Sequence, residues 1–319
     1  MAQAAGSNAQ IIYDVETTFG TTPVSPDAKL LPFITETLSR KRPLIQSNII
    51  RGNRNLTKSV RGNVDAGGSI NMELNPFMGI LLKHLLGSAT VGSGPPYTHT
   101  IKVAALPVSL CIEKGFTDLA QYFLYNGCRI NKGHFEFKSD GYIPFNLDFL
   151  AQKRTIGVTA FDATATDLGH LPFEGFEASM TEGGSPIAYV SEVVFDVEND
   201  LDPSNYVIGG VGLRRAIPEG KTKVSGTLTA LFETITLYNK AVNFTESSLA
   251  ITLTRGTGAG SAGNESLVIT IPELVYEEDD PPISGPKGIL TKMKFEAFYD
   301  NDSAASSIHM VLKNTQATL

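Results

Sequence analysis

Two stretches of this chain change period in the same way, and that switch limits the folds open to it. In "GGSINMELNPFMGILLKHLLGSA", residues 67–89, Ile70, Met72 and Leu74 alternate with polar neighbours as in a half-buried strand. Phe77, Leu81 and Leu85 then fall at i, i+4 and i+8 with Met78 and Leu82 beside them, the apolar face of a short helix. Asn75 is expected as N-cap, Pro76 as first helical residue and Gly87 as the residue that ends the helix. The order returns in "KVSGTLTALFETITLYNKAVNF": Val224 and Leu228 read as a strand, then Ile235, Tyr238 and Val242 as the inward face of a second helix, with Lys240 near its negative end.

The remainder reads as antiparallel β. "IKVAA", "VSLCIEKG", "NGCRINKGHFEFKSD" and "YIPFNLDFLAQK" are strands punctuated by Gly, Asp and Pro, answered later by "SSLAITLTRG", "SLVITIPELVYE" and "GILTKMKFEAFYD". Strand, helix, strand, strand pair and final strand thus occur twice, a repeat of pattern more than of residues. With 319 residues, two units are expected: an extended N-terminal arm over residues 1–30, a first domain over 31–165 carrying a long basic loop, and a second over 166–319. The boundary between them is expected within 155–186.

Charge narrows the function classes. The 33 acidic and 26 basic residues leave −7, which argues against a protein that wraps nucleic acid by neutralising phosphates. Between residues 37 and 64 there is no acid, whereas Arg40, Lys41, Arg42, Arg51, Arg54, Lys58 and Arg61 are basic; this is a hairpin or loop that could meet an acidic surface on another copy. "YEEDDPP", with Glu277, Glu278, Asp279 and Asp280, offers such a surface. It lacks the alternate ligand spacing and turn glycine of a calcium loop.

No chemistry of catalysis stands out. The five histidines have no ligand spacing, and Cys111 and Cys128, the only cysteines, lie in strand-like surroundings that suit neither a disulfide framework nor a thiolate site. "GAGSAG", residues 258–263, precedes a strand where a dinucleotide fingerprint needs a helix, so it reads as a hairpin tip. Catalytic residues, metal ligands and cofactors are therefore not expected. The N-terminus lacks signal-peptide character and the run "FMGILLKHLL" is too short to span a bilayer, so a cytosolic product with no membrane partner is expected.

"SNIIRGNRNLTKSVRGNVDAGGSINMELNPFMGILLKHLLG" resembles the N-terminal half of tail tube proteins of long-tailed, non-contractile bacteriophages. "SEVVFDVENDLDPSNYVIGGVGLRRAIPEGKTKVSGTLTALFE" is similar to a strand, Gly-rich loop, "IPEG" turn and strand of the same family. The resemblance implies a mainly β fold, here two tandem β-sandwich or barrel units of antiparallel sheets, each flanked by one short helix. It also implies a virion protein, made in the host cytoplasm, whose units join edge to edge in rings that stack into a hollow tube with an acidic bore.

The implied partners are further copies of the chain, the tape measure protein, tail terminator and tail-tip proteins, and double-stranded DNA in transit only. Arg51, Arg54, Lys58 and Arg61 become candidates for an inter-ring loop, Glu277 to Asp280 for its acidic counterpart, and Glu73 and Asp148 for the bore. Two units per chain predict a three-chain ring with approximate sixfold symmetry; the competing arrangement is a six-chain ring in which one half is an outer decoration. A receptor- or carbohydrate-binding β-sandwich of a fibre or adhesin is the alternative function.

Overall fold

Alternating buried and exposed residues along most segments dictate sheets with one face on a core. The computed structural model describes residues 3–283 and 285–319. The first unit runs β1 (Ala9–Glu16), β2 (Ser39–Lys41), β3 (Asp65–Glu73), α1 (Gly79–Leu86), β4 (Gly87–Val91), β5 (Tyr97–Val103), β6 (Ser109–Phe116), β7 (Gln121–Lys138), β8 (Pro144–Ala151) and β9 (Lys153–Gly157). The second runs β10 (Ala178–Glu182), β11 (Val190–Glu198), β12 (Lys223–Leu231), α2 (Thr236–Val242), β13 (Ser247–Thr254), β14 (Ser266–Tyr276), β15 (Leu290–Ala297) and β16 (His309–Asn314). The fold is mainly β, with antiparallel ladders between these strands.

Each unit has two layers that share one long strand. In the first, β1, β6, the start of β7 and β9 form a flanking sheet. The end of β7 continues into a second sheet in the order β7, β8, β3, β2. In the second unit β10, β13, β14 and β16 repeat the flanking sheet, and the end of β14 passes on to β15, β12 and β11.

The repeat extends to register. Leu110 pairs with Cys128 and Ile112 with Tyr125, one bulge apart; Ser247 with Leu274 and Leu249 with Ile271 have the same irregularity. This register sets Leu110 against Ser247, so the basic-Gly pairs ending "VSLCIEKG" and "SSLAITLTRG" do not coincide. Gly68 and Gly226 also match: a Cβ on either would lie 2.5 Å from Thr37 O or 2.4 Å from Val194 O, backbone atoms that cannot swing aside.

The two second-layer sheets merge. The end of β7 pairs with β11 over seven residues, from Lys132 opposite Glu198 to Lys138 opposite Glu192. The result is one continuous sheet in the order β2, β3, β8, β7, β11, β12, β15, β14. Phe135, its rings 4.6 Å from Phe145 and 4.9 Å from Phe195, backs the junction from the core side.

Helix α1 lies on the core face of this sheet, close enough that a Cβ on Gly133 would sit 2.5 Å from Leu85. Its buried Leu81, Leu82, Leu85 and Leu86 are each worth about 1.5–3 kcal/mol of transfer free energy. Gly87 ends the helix as expected, with φ of 122°, but Asn75 does not cap it. The Asn75 side chain instead accepts from Phe77 N–H in a tight turn, and the helix begins after Met78.

Three further expectations are corrected. The segment 1–30 is not an arm throughout: β1 pairs along its whole length with β6, and Ile11, Ile12 and Tyr13 are buried. Its counterpart is β10, which lies inside the span read as a boundary. In β1 the apolar run is only Ile11–Tyr13, in β10 the apolar residues are only Ala178 and Met180, both half-buried, and each strand ends in a buried, hydrogen-bonded acid, Glu16 or Glu182, whose polarity masks burial. In α2 the inward residues are Leu237 and Ala241, whereas Ile235 and Val242 are exposed, because only one short turn of the helix rests on the sheet. Among the described residues the β4–β5 hairpin has no counterpart in the second unit; β5 crosses over to extend that unit's flanking sheet beside β16.

Candidate functional site

The features open to partners are the two ends of the continuous sheet, its solvent face and the loops beyond its rim. At one end, among the described residues, β2 pairs only with β3, leaving its far flank without a strand. Within this edge the Leu38 backbone is already satisfied: its N–H donates to Glu36, and its carbonyl accepts from Lys114 Nζ and Tyr125 OH. At the other end β14 meets β15 through Leu274, Val275 and Tyr276, and Glu277 N–H still donates to Lys294 O at 2.8 Å. Glu278, Asp279 and Asp280 then run exposed into Pro281 and Pro282. Asp280 accepts from Tyr238 OH at 2.6 Å, and Glu277 lies 3.5 Å from Lys294.

The solvent face of the sheet carries the alternate residues of each strand. Glu73 and Asp148, the expected bore residues, both lie on it: Asp148 is opposite Ser69 and Lys132, and Glu73 accepts from His170 Nε2 at 2.8 Å. Desolvation raises the Asp148 carboxyl above its ordinary range, with Lys132 opposing the rise. Around them the charges alternate in sign. Lys132 and His134 both reach Asp196, at 3.0 and 2.6 Å; Lys223 meets Glu296 at 2.8 Å, and Lys138 bridges Glu136 and Glu192. The Asp196 hydrogen bond is also the main reason the Lys132 pKa is raised. This face is therefore a mixed lattice of ion pairs with surplus acids, a pattern less uniform than a purely acidic wall.

The basic stretch is a hairpin closed by Leu44–Ile45 against Val60–Arg61. Arg51, Arg54, Lys58 and Arg61 are all exposed along it, and Arg51 donates to carbonyls of its own loop, Asn55 and Leu56. Among the described residues no ion pair joins this hairpin to Glu277–Asp280, so the chain does not bring those two candidate sets together. The residues missed in the sequence are apolar: Ile49, Ile50 and Leu56 are exposed by 67%, 95% and 77%. Their absence of periodicity was the available signal.

The second unit has a loop at the equivalent position, between β11 and β12, with Ile208 and Val211 exposed at its tip. That loop is anchored. Arg214, 2% exposed, donates to Ala66 O and Ala151 O and pairs with Asp65, so the second unit clasps the base of the first.

Cys111 and Cys128 are free and buried, and burial pushes the Cys111 thiol up to about 12. No helix among the described residues is long and apolar enough to cross a membrane.

A comparison with curated proteins finds no match. A family profile described as phage tail tube protein matches residues 6–297, spanning both units and the junction between them. The chain therefore belongs to the phage tail tube protein family, and its role is that of a structural component of the virion tail.

Proposed function

We propose that the chain self-assembles into three-membered rings, which stack as a hollow tube around the tape measure protein and later pass the genome. The observation that carries this reading is the continuous sheet: it contains one unit-to-unit junction already made and, among the described residues, ends in two short edges, Ser39–Lys41 and Glu277–Asp279, without a second strand beside them. Bare edges are an aggregation hazard unless a neighbour completes them.

Eight strands per chain, tripled, give roughly 24; at about 4.8 Å spacing and about 40° tilt the barrel circumference is roughly 150 Å and its diameter roughly 48 Å. Side chains then still leave a bore wider than duplex DNA. The surplus of acids on the solvent face suits passage without adhesion, since each tight phosphate contact would retard transit. Loop 45–60, with its basic and apolar residues, reaches the adjacent ring. Tail terminator and tail-tip proteins close the stack at its ends, assembly takes place in the host cytoplasm, and the chain performs no catalysis.

Negative-stain microscopy of the purified protein, with native mass measurement of rings, tests the proposal. Tubes whose rings hold three chains of 34.2 kDa are expected. A self-closed monomer overturns the assembly reading, and six chains per ring overturn the three-chain geometry.

A further inference from the structure

The two open edges of the continuous sheet are counterparts of the two strands that already meet inside the chain. At the internal junction Ile130 pairs with Phe149, a bulge follows, and Lys132 stands opposite Asp148 and Glu198. At the open end Tyr276 pairs with Phe295 and Glu277 bonds to Lys294, so Glu277 occupies the place of Lys132. On the other edge Lys41 pairs with Asp65 as Glu198 pairs with Lys223. Lys41 therefore occupies the place of Glu198. Each of these positions has the opposite sign from its internal equivalent: Lys132 and Glu198 inside, Glu277 and Lys41 outside.

We infer that a second copy of this chain docks its β2 edge onto the Glu277–Asp279 edge in the register of the internal β7–β11 junction, with Lys41 opposite Glu277 and Arg40 opposite Glu278. The inference rests on the ring reading above and gives it a specific contact.

The structure also limits the contact's length. Pro281 and Pro282 have no N–H to donate, and the Leu38 backbone is already satisfied within its own chain. Three residue pairs remain, against seven at the internal junction. The aromatic backing is absent too: the places of Phe135 and Phe195 are taken by Asp280 and Leu38. Ring closure is thus short and charge-held, and weakens with salt, whereas the internal junction is permanent.

Cysteine cross-linking in the assembled full chain tests the register. Lys41→Cys combined with Glu277→Cys should give, on oxidation, a covalent three-chain species on non-reducing gels. Lys41→Cys with Asp280→Cys, out of register, should give at least tenfold less, and the buried native cysteines should give none. Where the Cys variant fails to assemble, Lys41→Glu and Glu277→Lys should each lower ring yield at least tenfold and restore it when combined. Rings without the cross-link, equal linking in both pairs, or normal yield from the single reversals overturn this contact and leave the ring reading standing. Absence of any ring from the unaltered chain removes the ring reading itself, and this contact with it.

Discussion

Removing one ring from the internal junction should destabilise both units together. Phe195 is 1% exposed and stacks 4.9 Å from Phe135, which in turn lies 4.6 Å from Phe145. Phe195→Ala loses the transfer free energy of the ring and leaves a cavity between strands of different units, about 3–5 kcal/mol. Unfolding 319 residues carries an entropy of roughly 0.7 kcal/mol/K, so the midpoint should fall by about 6 °C.

Phe135→Ala should cost a similar amount, and the pair of substitutions should fall short of additivity by about 0.5–1.5 kcal/mol, the worth of the ring contact. Calorimetry of the dilute protein is the assay, with Phe116→Ala in the first flanking sheet as a milder comparison. A loss below about 1 kcal/mol for Phe195→Ala refutes the reasoning. So does a thermogram in which only one of two separate transitions moves, since the shared sheet would then not couple the units.

Two further outcomes are expected. Glu113 is buried, accepts from Phe161 N–H, and is pushed by desolvation to about 7 from its ordinary 4.5. The folded state then holds this proton more tightly than the unfolded state, so its contribution to stability is complete below about 4.5 and is lost as pH rises to about 7. Glu113→Gln should remove that slope and raise stability above pH 7 by up to about 3 kcal/mol, read from urea midpoints across pH. In the basic hairpin, Ile50→Asp with Leu56→Asp, or charge reversal at Arg51, Arg54 and Lys58, should change chain stability by no more than about 0.5 kcal/mol while converting tubes to unstacked rings; unaltered tubes in micrographs refute the loop's role.

Legibility in the sequence followed the periodicity of burial. Leu81 and Leu85 announce a helix because their spacing matches its pitch, and the likeness of "YIPFNLDFLAQK" to "GILTKMKFEAFYD" corresponds to equivalent strands, in which Phe149 and Phe295 stand opposite Gly68 and Gly226. Where only a few residues are buried the signal fails. The β1 strand begins in a polar setting, and α2 buries Leu237 and Ala241 while leaving the more conspicuous Ile235 exposed. Asn75 has the residue type of a cap but spends its oxygen on a preceding turn.

The candidate site divides in the same way. The opposite charges of residues 40–42 and 277–280 are visible in the string, but their matched places in the ladder are not. Register needs the pairings of Lys132 and Glu198 as a ruler, and those span residues far apart in sequence.

The strand Gln121–Lys138 is 18 residues long and belongs to both layers of the first unit. A pull on one layer is therefore carried into the other by peptide bonds, without relying on side chains gripping across the interior. Peeling the layers apart would require unzipping a ladder lengthwise, so a wall built from such pieces resists delamination and fails, under tension, at its seams.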